Sequence, residues 1–162
     1  MTDVSWPDVA GRIIEDEKGR KHVLPVRVYF EDTDAGGVVY HASYVRYCER
    51  GRTDFLRLSG IDARGLIDGS QSSEPAAFVV RRMTLDFRKP ARMDDLLLVE
   101  TRVRELGVAS ATLDQVITRD GVPIFGAEVM VVLVAMSGKP LRLGGMVRDG
   151  LAGKSGASEP NT

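Results

Sequence analysis

The chain has one cysteine, two histidines and one tryptophan in 162 residues, and each scarcity closes off a class of chemistry. A single thiol, Cys48, excludes an intrachain disulfide. Cys48, His22 and His41 are too few for a zinc site built from Cys and His. Metal chemistry would then need a carboxylate cluster, and Asp32 with Asp34 is a thin basis for one, so no metal is expected. An excess of charge is also missing: 22 Lys+Arg against 23 Asp+Glu leaves a formal net charge of -1. Bulk charge therefore gives no reason to expect nucleic-acid binding. No apolar run is long enough to cross a bilayer. The first residues, MTDVSWPDVAGRIIEDEKGRKH, lack the apolar core of a signal peptide, so the expected compartment is the cytoplasm. There is no G-x-S-x-G elbow, which argues against an α/β-hydrolase.

What is present is the composition of one soluble domain, 43% apolar and 28% charged, long enough to bury a core. Its chemistry is concentrated between Val26 and Tyr47, VRVYFEDTDAGGVVYHASYVRY. Val26, Val28 and Phe30 alternate with Arg27, Tyr29 and Glu31 as in a strand. Two aspartates, Asp32 and Asp34, then precede an Ala35-Gly36-Gly37 elbow, and His41 follows at the entrance to a helix.

Residues 1–22 have weak periodicity and read as an arm, and Pro25 suits the edge or start of the first strand. His41 to Ser59 reads as a helix with Tyr44, Tyr47, Cys48, Gly51, Phe55 and Leu58 on one apolar stripe. Arg46, Glu49, Arg50, Arg52 and Asp54 fall largely on the other side, Ser43 or His41 is the expected N-cap, and Gly60 the stop. A polar loop to Pro75 follows, with a short helical piece near Ala63 to Ile67. Four strands come next. Residues 77–87 put Ala77, Val79, Met83, Leu85 and Phe87 on one face; 96–104 and 108–118 follow, the latter ending at an Asp120-Gly121 hairpin signal. The almost wholly apolar 123–136 is the pattern of a strand covered on both faces. Residues 144–162 are glycine-rich and read as a flexible tail. Strand, long helix and a run of hairpin-linked strands suggest an α+β fold, a helix wrapped by a curved antiparallel sheet of about five strands. The sheet's other face would need covering, and self-association is the simplest cover.

The stretch Val26 to Tyr47 resembles the signature of the 4-hydroxybenzoyl-CoA thioesterase-like hot-dog enzymes. With CERGRTDFLR, AFVVRRMTLDFRKPARMDD and AEVMVVLVAM it looks more narrowly like the Tol–Pal-associated acyl-CoA thioesterase family. The likeness spans roughly Leu24 to Leu143, so the domain is bounded at 23–143. It departs at Phe30, where relatives often carry a tyrosine. The resemblance implies hydrolysis of an acyl-CoA to free acid and CoA, with Asp34 as the catalytic carboxylate and His41 in the site. It implies dimers or tetramers with the site at a subunit interface, no cofactor beyond the CoA of the substrate, and an association with the cell envelope.

A thioester carbonyl is poorly resonance-stabilised, so Asp34 could act as general base on water or attack to form a mixed anhydride. The start of the helix near His41 offers free N–H groups to the oxyanion. Set against this, Asp34 could merely cap a turn and His41 merely cap the helix. Asp32 is expected to bond backbone N–H groups of the elbow. Gly36-Gly37 could admit substrate close to the backbone or simply supply positive φ. Gly37, Val38 and Tyr40 are expected to contact substrate, and Arg88, Lys89 and Arg92 to meet the CoA phosphates, although a basic run is commonly a solvated face. Glu49 is the reserve carboxylate, expected to pair with Arg52 or Thr53. Cys48 reads as a buried structural thiol, and Tyr44 and Tyr47 as core or interface. The competing readings are dehydration of a hydroxyacyl thioester and a non-catalytic adaptor for acyl carrier protein or envelope partners.

Overall fold

The computed structural model describes Ser5 and residues 8–154. Its strands are β1 (Arg12–Asp16), β2 (Gly19–Arg27), β3 (Ala76–Phe87), β4 (Leu96–Leu106), β5 (Ser110–Arg119) and β6 (Val122–Ala135). Its helices are α1 (His41–Leu58), α2 (Ala63–Ile67) and α3 (Gly145–Ala152). The strands form one six-stranded sheet in the order β1-β2-β4-β5-β6-β3, each neighbour antiparallel. The sheet wraps α1, which is the hot-dog arrangement.

α1 presents Tyr44, Tyr47, Cys48, Gly51 and Phe55 to the sheet, the stripe its spacing forecasts, apart from Leu58, which stays exposed. Each large side chain buried there stabilises the fold by roughly 1.5–3 kcal/mol. Gly51 is the point of closest approach: a Cβ built on it would stand 2.9 Å from Val99 Cγ1. The helix rests on β4 and β5 only because that position has no side chain. The β5–β6 turn is carried by Asp120 at φ 51° and Gly121 at φ 76°, as the hairpin signal requires.

Several expectations are corrected. The sheet has six strands, not about five, because residues 12–22 are no arm: they pair as the β1–β2 hairpin. Residues 1–4, 6 and 7 lie outside the described residues. The strand read through Glu31 ends at Arg27, and Phe30–Asp32 form a turn of 3-10 helix. Val26 and Val28 are buried as forecast, but Phe30 is 81% exposed because the chain has already left the sheet. A bulge between Val80 and Arg82 switches the faces of β3. Val79 therefore opposes Val132 on the outer face, while Met83 opposes the buried Val129. β6 is buried on one side only; on the other, Met130, Val132 and Val134 are half-buried and Glu128 is exposed. Within the tail, residues 145–152 form α3, with Val147 and Leu151 buried; residues 155–162 lie outside the described residues. The N-cap of α1 is Tyr40, in extended backbone, rather than Ser43 or His41.

Candidate active site

Residues 33–41 form a tight elbow that delivers the chain to α1. The Asp34 N–H donates to Val38 O (2.9 Å), the Gly37 N–H donates to Asp34 O (3.0 Å), and Thr33 bridges Val39. Gly37 adopts φ 78°, a conformation that suits glycine. Asp34 is exposed, and its Oδ1 accepts the Gly36 N–H at 2.8 Å, so one oxygen is tied to the turn while the carboxylate faces outward. Asp32 behaves as forecast. It is buried, Oδ2 accepts the Tyr29 N–H (2.8 Å), and its carbonyl accepts the Tyr40 N–H (2.8 Å) and the Ser43 hydroxyl (3.2 Å).

His41 is the first residue of α1, where the N–H groups have no carbonyl ahead of them in the helix and the dipole favours negative charge. Its ring lies 4.4 Å from that of Tyr40. It lines a shallow groove of about 240 Å³ with Val39, Tyr44, Phe87, Arg88, Lys89 and Pro90. The structure thus brings Arg88 and Lys89, more than forty residues away in sequence, beside the helix start. Arg92 is tied in by its bridge to Val38. Arg88 is shared, since its Nε donates to Asp86 Oδ2 at 2.8 Å. Asp34 does not line this groove; it stands at the other end of the elbow.

The groove's second wall is fastened by contacts that no local pattern reveals. The Tyr44 hydroxyl accepts the Ala91 N–H (3.1 Å), and the Val39 N–H donates to Ala91 O (2.8 Å). Arg119 Nη1 donates to Pro90 O (2.8 Å) and to Asp95 Oδ2 (2.9 Å), and Asp95 Oδ2 also accepts the Arg92 N–H (2.9 Å). Partial burial pushes the Asp95 carboxyl up, but those two donors outweigh it and hold it below the usual carboxylate range. Burial raises the Tyr44 phenol, so it stays protonated. The partners of Tyr44 and Arg119 are distant in sequence, which is why spacing could not find them.

The other candidates lie farther along α1. Glu49 is exposed and accepts the Thr53 hydroxyl at 2.7 Å, the pairing expected of it. Being eight residues beyond His41, it is about 12 Å along the helix axis. With Thr53 it edges an apolar cavity of about 280 Å³ that also takes in Leu56, Leu66, Phe78 and Leu113. Cys48 is buried, and desolvation pushes its thiol up to about 12, which leaves it inert. Two charged residues on the side of α1 away from the apolar stripe are in fact buried. Arg52 Nη1 donates to Gln115 Oε1 (3.0 Å), and Asp54 Oδ2 accepts the Gly11 N–H (2.7 Å) and lies 2.6 Å from His22 Nε2. Among the described residues no group of three or more His, Cys, Asp and Glu is placed to hold a metal ion.

The Thioesterase superfamily profile matches residues 36–124. The chain is 44% identical over 111 residues to "Acyl-CoA thioester hydrolase YbgC" of Escherichia coli O6:H1, covering 68% of this chain and 79% of that one. It is equally 44% identical over 111 residues to "Acyl-CoA thioesterase YbgC" of Haemophilus influenzae, with the same coverage of 68% and 79%. Among solved structures, a probable thioesterase from Bartonella henselae superposes with a TM-score of 0.74 at 40% identity, over 76% of this chain and 99% of that one. A helix-wrapping sheet, an elbow with an aspartate at one end and a helix start at the other, and these matches agree: the chain belongs to the thioesterase superfamily.

Proposed function

We propose that this protein is an acyl-CoA thioesterase whose reaction centre is the elbow. The observation that carries the assignment is the single hydrogen-bonded loop joining an outward carboxylate, Asp34, to the open N–H groups at the start of α1. The thioester carbonyl oxygen takes the His41 N–H, where the helix dipole favours the negative charge that develops on attack. As general base, Asp34 removes a proton from water while the water oxygen bonds to the carbonyl carbon. The tetrahedral intermediate collapses, the C–S bond breaks, and the CoA sulfur takes a proton to leave as the thiol. In the covalent route the Asp34 oxygen itself bonds to the carbon, CoA leaves, and water hydrolyses the anhydride. The His41 side chain, beside Tyr40 at the groove mouth, orients the thioester or the water. Gly37, Val38 and Tyr40 form the backbone floor along which the thioester lies. Arg88, Lys89 and Arg92 meet the phosphates of CoA.

The working unit is a homodimer or homotetramer. In support, β3 is an edge strand whose Val79, Val80 and Phe87 are exposed, a pattern that a second copy would cover. An acyl carrier protein presents the same kind of thioester and would compete for the same groove.

Thiol release measured with a thiol-reactive dye, from acetyl- to palmitoyl-CoA and benzoyl-CoA, tests the reading in the wild type and in Asp34→Asn. Release that collapses in the variant supports it. Equal release in both removes Asp34 and points to Glu49. No release from any thioester favours the adaptor.

A further inference from the structure

Among the described residues Arg52 is the one Lys or Arg that is buried, at 8% exposure. Its Nη1 donates to Gln115 Oε1 at 3.0 Å, and the Gln115 amide is otherwise spent on Cys48 O and Thr101 Oγ1, both at 2.9 Å. Arg52 makes no other side-chain hydrogen bond and no ion pair with a carboxylate among the described residues. A guanidinium has five N–H donors and keeps its charge. Nor are its remaining nitrogens walled in: the buried side-chain polar atoms left without a partner are His22 Nδ1 and the Tyr47 hydroxyl.

The space that Arg52 borders is the apolar cavity of about 280 Å³ walled by Leu56, Leu66, Phe78, Leu113 and Val131. Glu49 stands at its rim, exposed and holding the Thr53 hydroxyl at 2.7 Å. A charge withdrawn from water without a counter-ion is costly, and an anion entering the cavity would offset that cost. The free edge of the guanidinium, Nε with Nη2, matches the two oxygens of a carboxylate. Apolar walls with one convergent charged group orient a ligand that is apolar in body and anionic at one end.

We propose that this cavity is a binding site for a free carboxylic acid, in which Arg52 takes the carboxylate and the hydrocarbon body packs against the apolar walls. Arg52 lies eleven residues after His41, about 16 Å along the helix axis, so an acid held there is not the thioester under attack. A free acid is also what thioester hydrolysis releases, so the site lets product act back on the enzyme. That role, unlike the pocket, rests on the function proposed above.

Isothermal titration calorimetry of the full chain with hexanoate, octanoate and benzoate, against hexanol, octanol and benzyl alcohol, tests the site without turnover. The acids are expected to bind more tightly than the alcohols. Arg52→Gln should weaken the acids on the order of 10- to 100-fold, the worth of hydrogen bonds to a charged group, and leave the alcohols unchanged. Ala77→Leu keeps the charge but fills the space from a half-buried wall position, and should weaken acids and alcohols alike. Acids that bind no better than alcohols overturn the proposal. So does an Arg52→Gln protein that binds acids as the wild type does, for Arg52 is then only a tie between α1 and β5. Thiol release identifies the source of the carboxylate. Added octanoate that slows release in the wild type and not in Arg52→Gln supports the released acid. A lower KM for dodecanedioyl-CoA than for dodecanoyl-CoA, lost in Arg52→Gln, overturns it in favour of the far end of a dicarboxylic acyl chain. A wild type that binds the acids but releases no thiol upholds the pocket while the proposed function fails.

Discussion

Two aspartates serve the two ends of α1 and are built in opposite ways. Asp54, in the C-terminal half, is buried and saturated: it accepts the Gly11 N–H, lies against His22 Nε2 and pairs with Arg57. Asp34, before the N-terminus, is exposed and holds one local N–H. A carboxylate whose lone pairs are already filled by fixed donors can fasten a hairpin to a helix, but has little left for a substrate. A carboxylate with a spare oxygen contributes little to stability and can take a proton from water. The difference separates a committed carboxylate from an open one by satisfaction of hydrogen bonds, not by residue type.

The sharpest break of this contrast is Asp34→Asn. It is expected to lower kcat by about 10²- to 10⁴-fold, the usual worth of a positioned base, while the unfolding midpoint holds because the amide oxygen still accepts the Gly36 N–H. Asp54→Ala should do the reverse. Loss of the acceptor for two buried donors is expected to cost about 3 kcal/mol in a urea titration, with kcat of the folded fraction unchanged.

Smaller effects sharpen the picture. Arg88→Ala with Lys89→Ala is expected to raise KM for acyl-CoA about three- to fivefold, and added salt should shrink the difference because both side chains are exposed. The smallest effect is a pH dependence at the structural end. Burial holds the His22 imidazole below its ordinary value of 6.5, more strongly than the Asp54 carboxylate raises it, with Arg20 and Arg57 adding to the depression. Neutral His22 then donates from Nε2 to Asp54 and leaves Nδ1 buried without a partner among the described residues. The unfolded chain takes up this proton first, so the stability contribution is full above pH 6.5 and declines as pH falls below it. Thermal midpoints between pH 7 and 5 should fall in the wild type and fall less in His22→Gln, whose amide donates without titrating.

The elbow was legible because it is contiguous: its aspartates, glycines and histidine lie within ten residues, and a turn needs no distant partner. The hairpin of residues 12–27 was not. Its outer strand is an edge, exposed and charged at most positions, so it carries no alternation to read. α3 was hidden by its glycines. Gly150 is there because a Cβ would stand 2.5 Å from Ser59 O, and Val147 and Leu151 bury one helical turn apart; packing overrides poor propensity. Arg52 and Asp54 read as the side of α1 away from the apolar stripe because charge ordinarily faces outward. Their partners, Gln115 and His22, lie 63 and 32 residues away.

By itself the sequence determined the stripe of α1, the elbow, the β5–β6 turn, and through the resemblance the hot-dog class. All of these depend on residues within a few positions of one another, or on a pattern carried whole in the chain. Tertiary structure alone decided that the Arg88–Lys89 segment walls the groove beside His41, that Asp32 ties the two ends of the elbow, and that one aspartate is consumed by donors while the other stays open. Those outcomes depend on which strands neighbour which, and long-range pairing leaves no mark in local spacing.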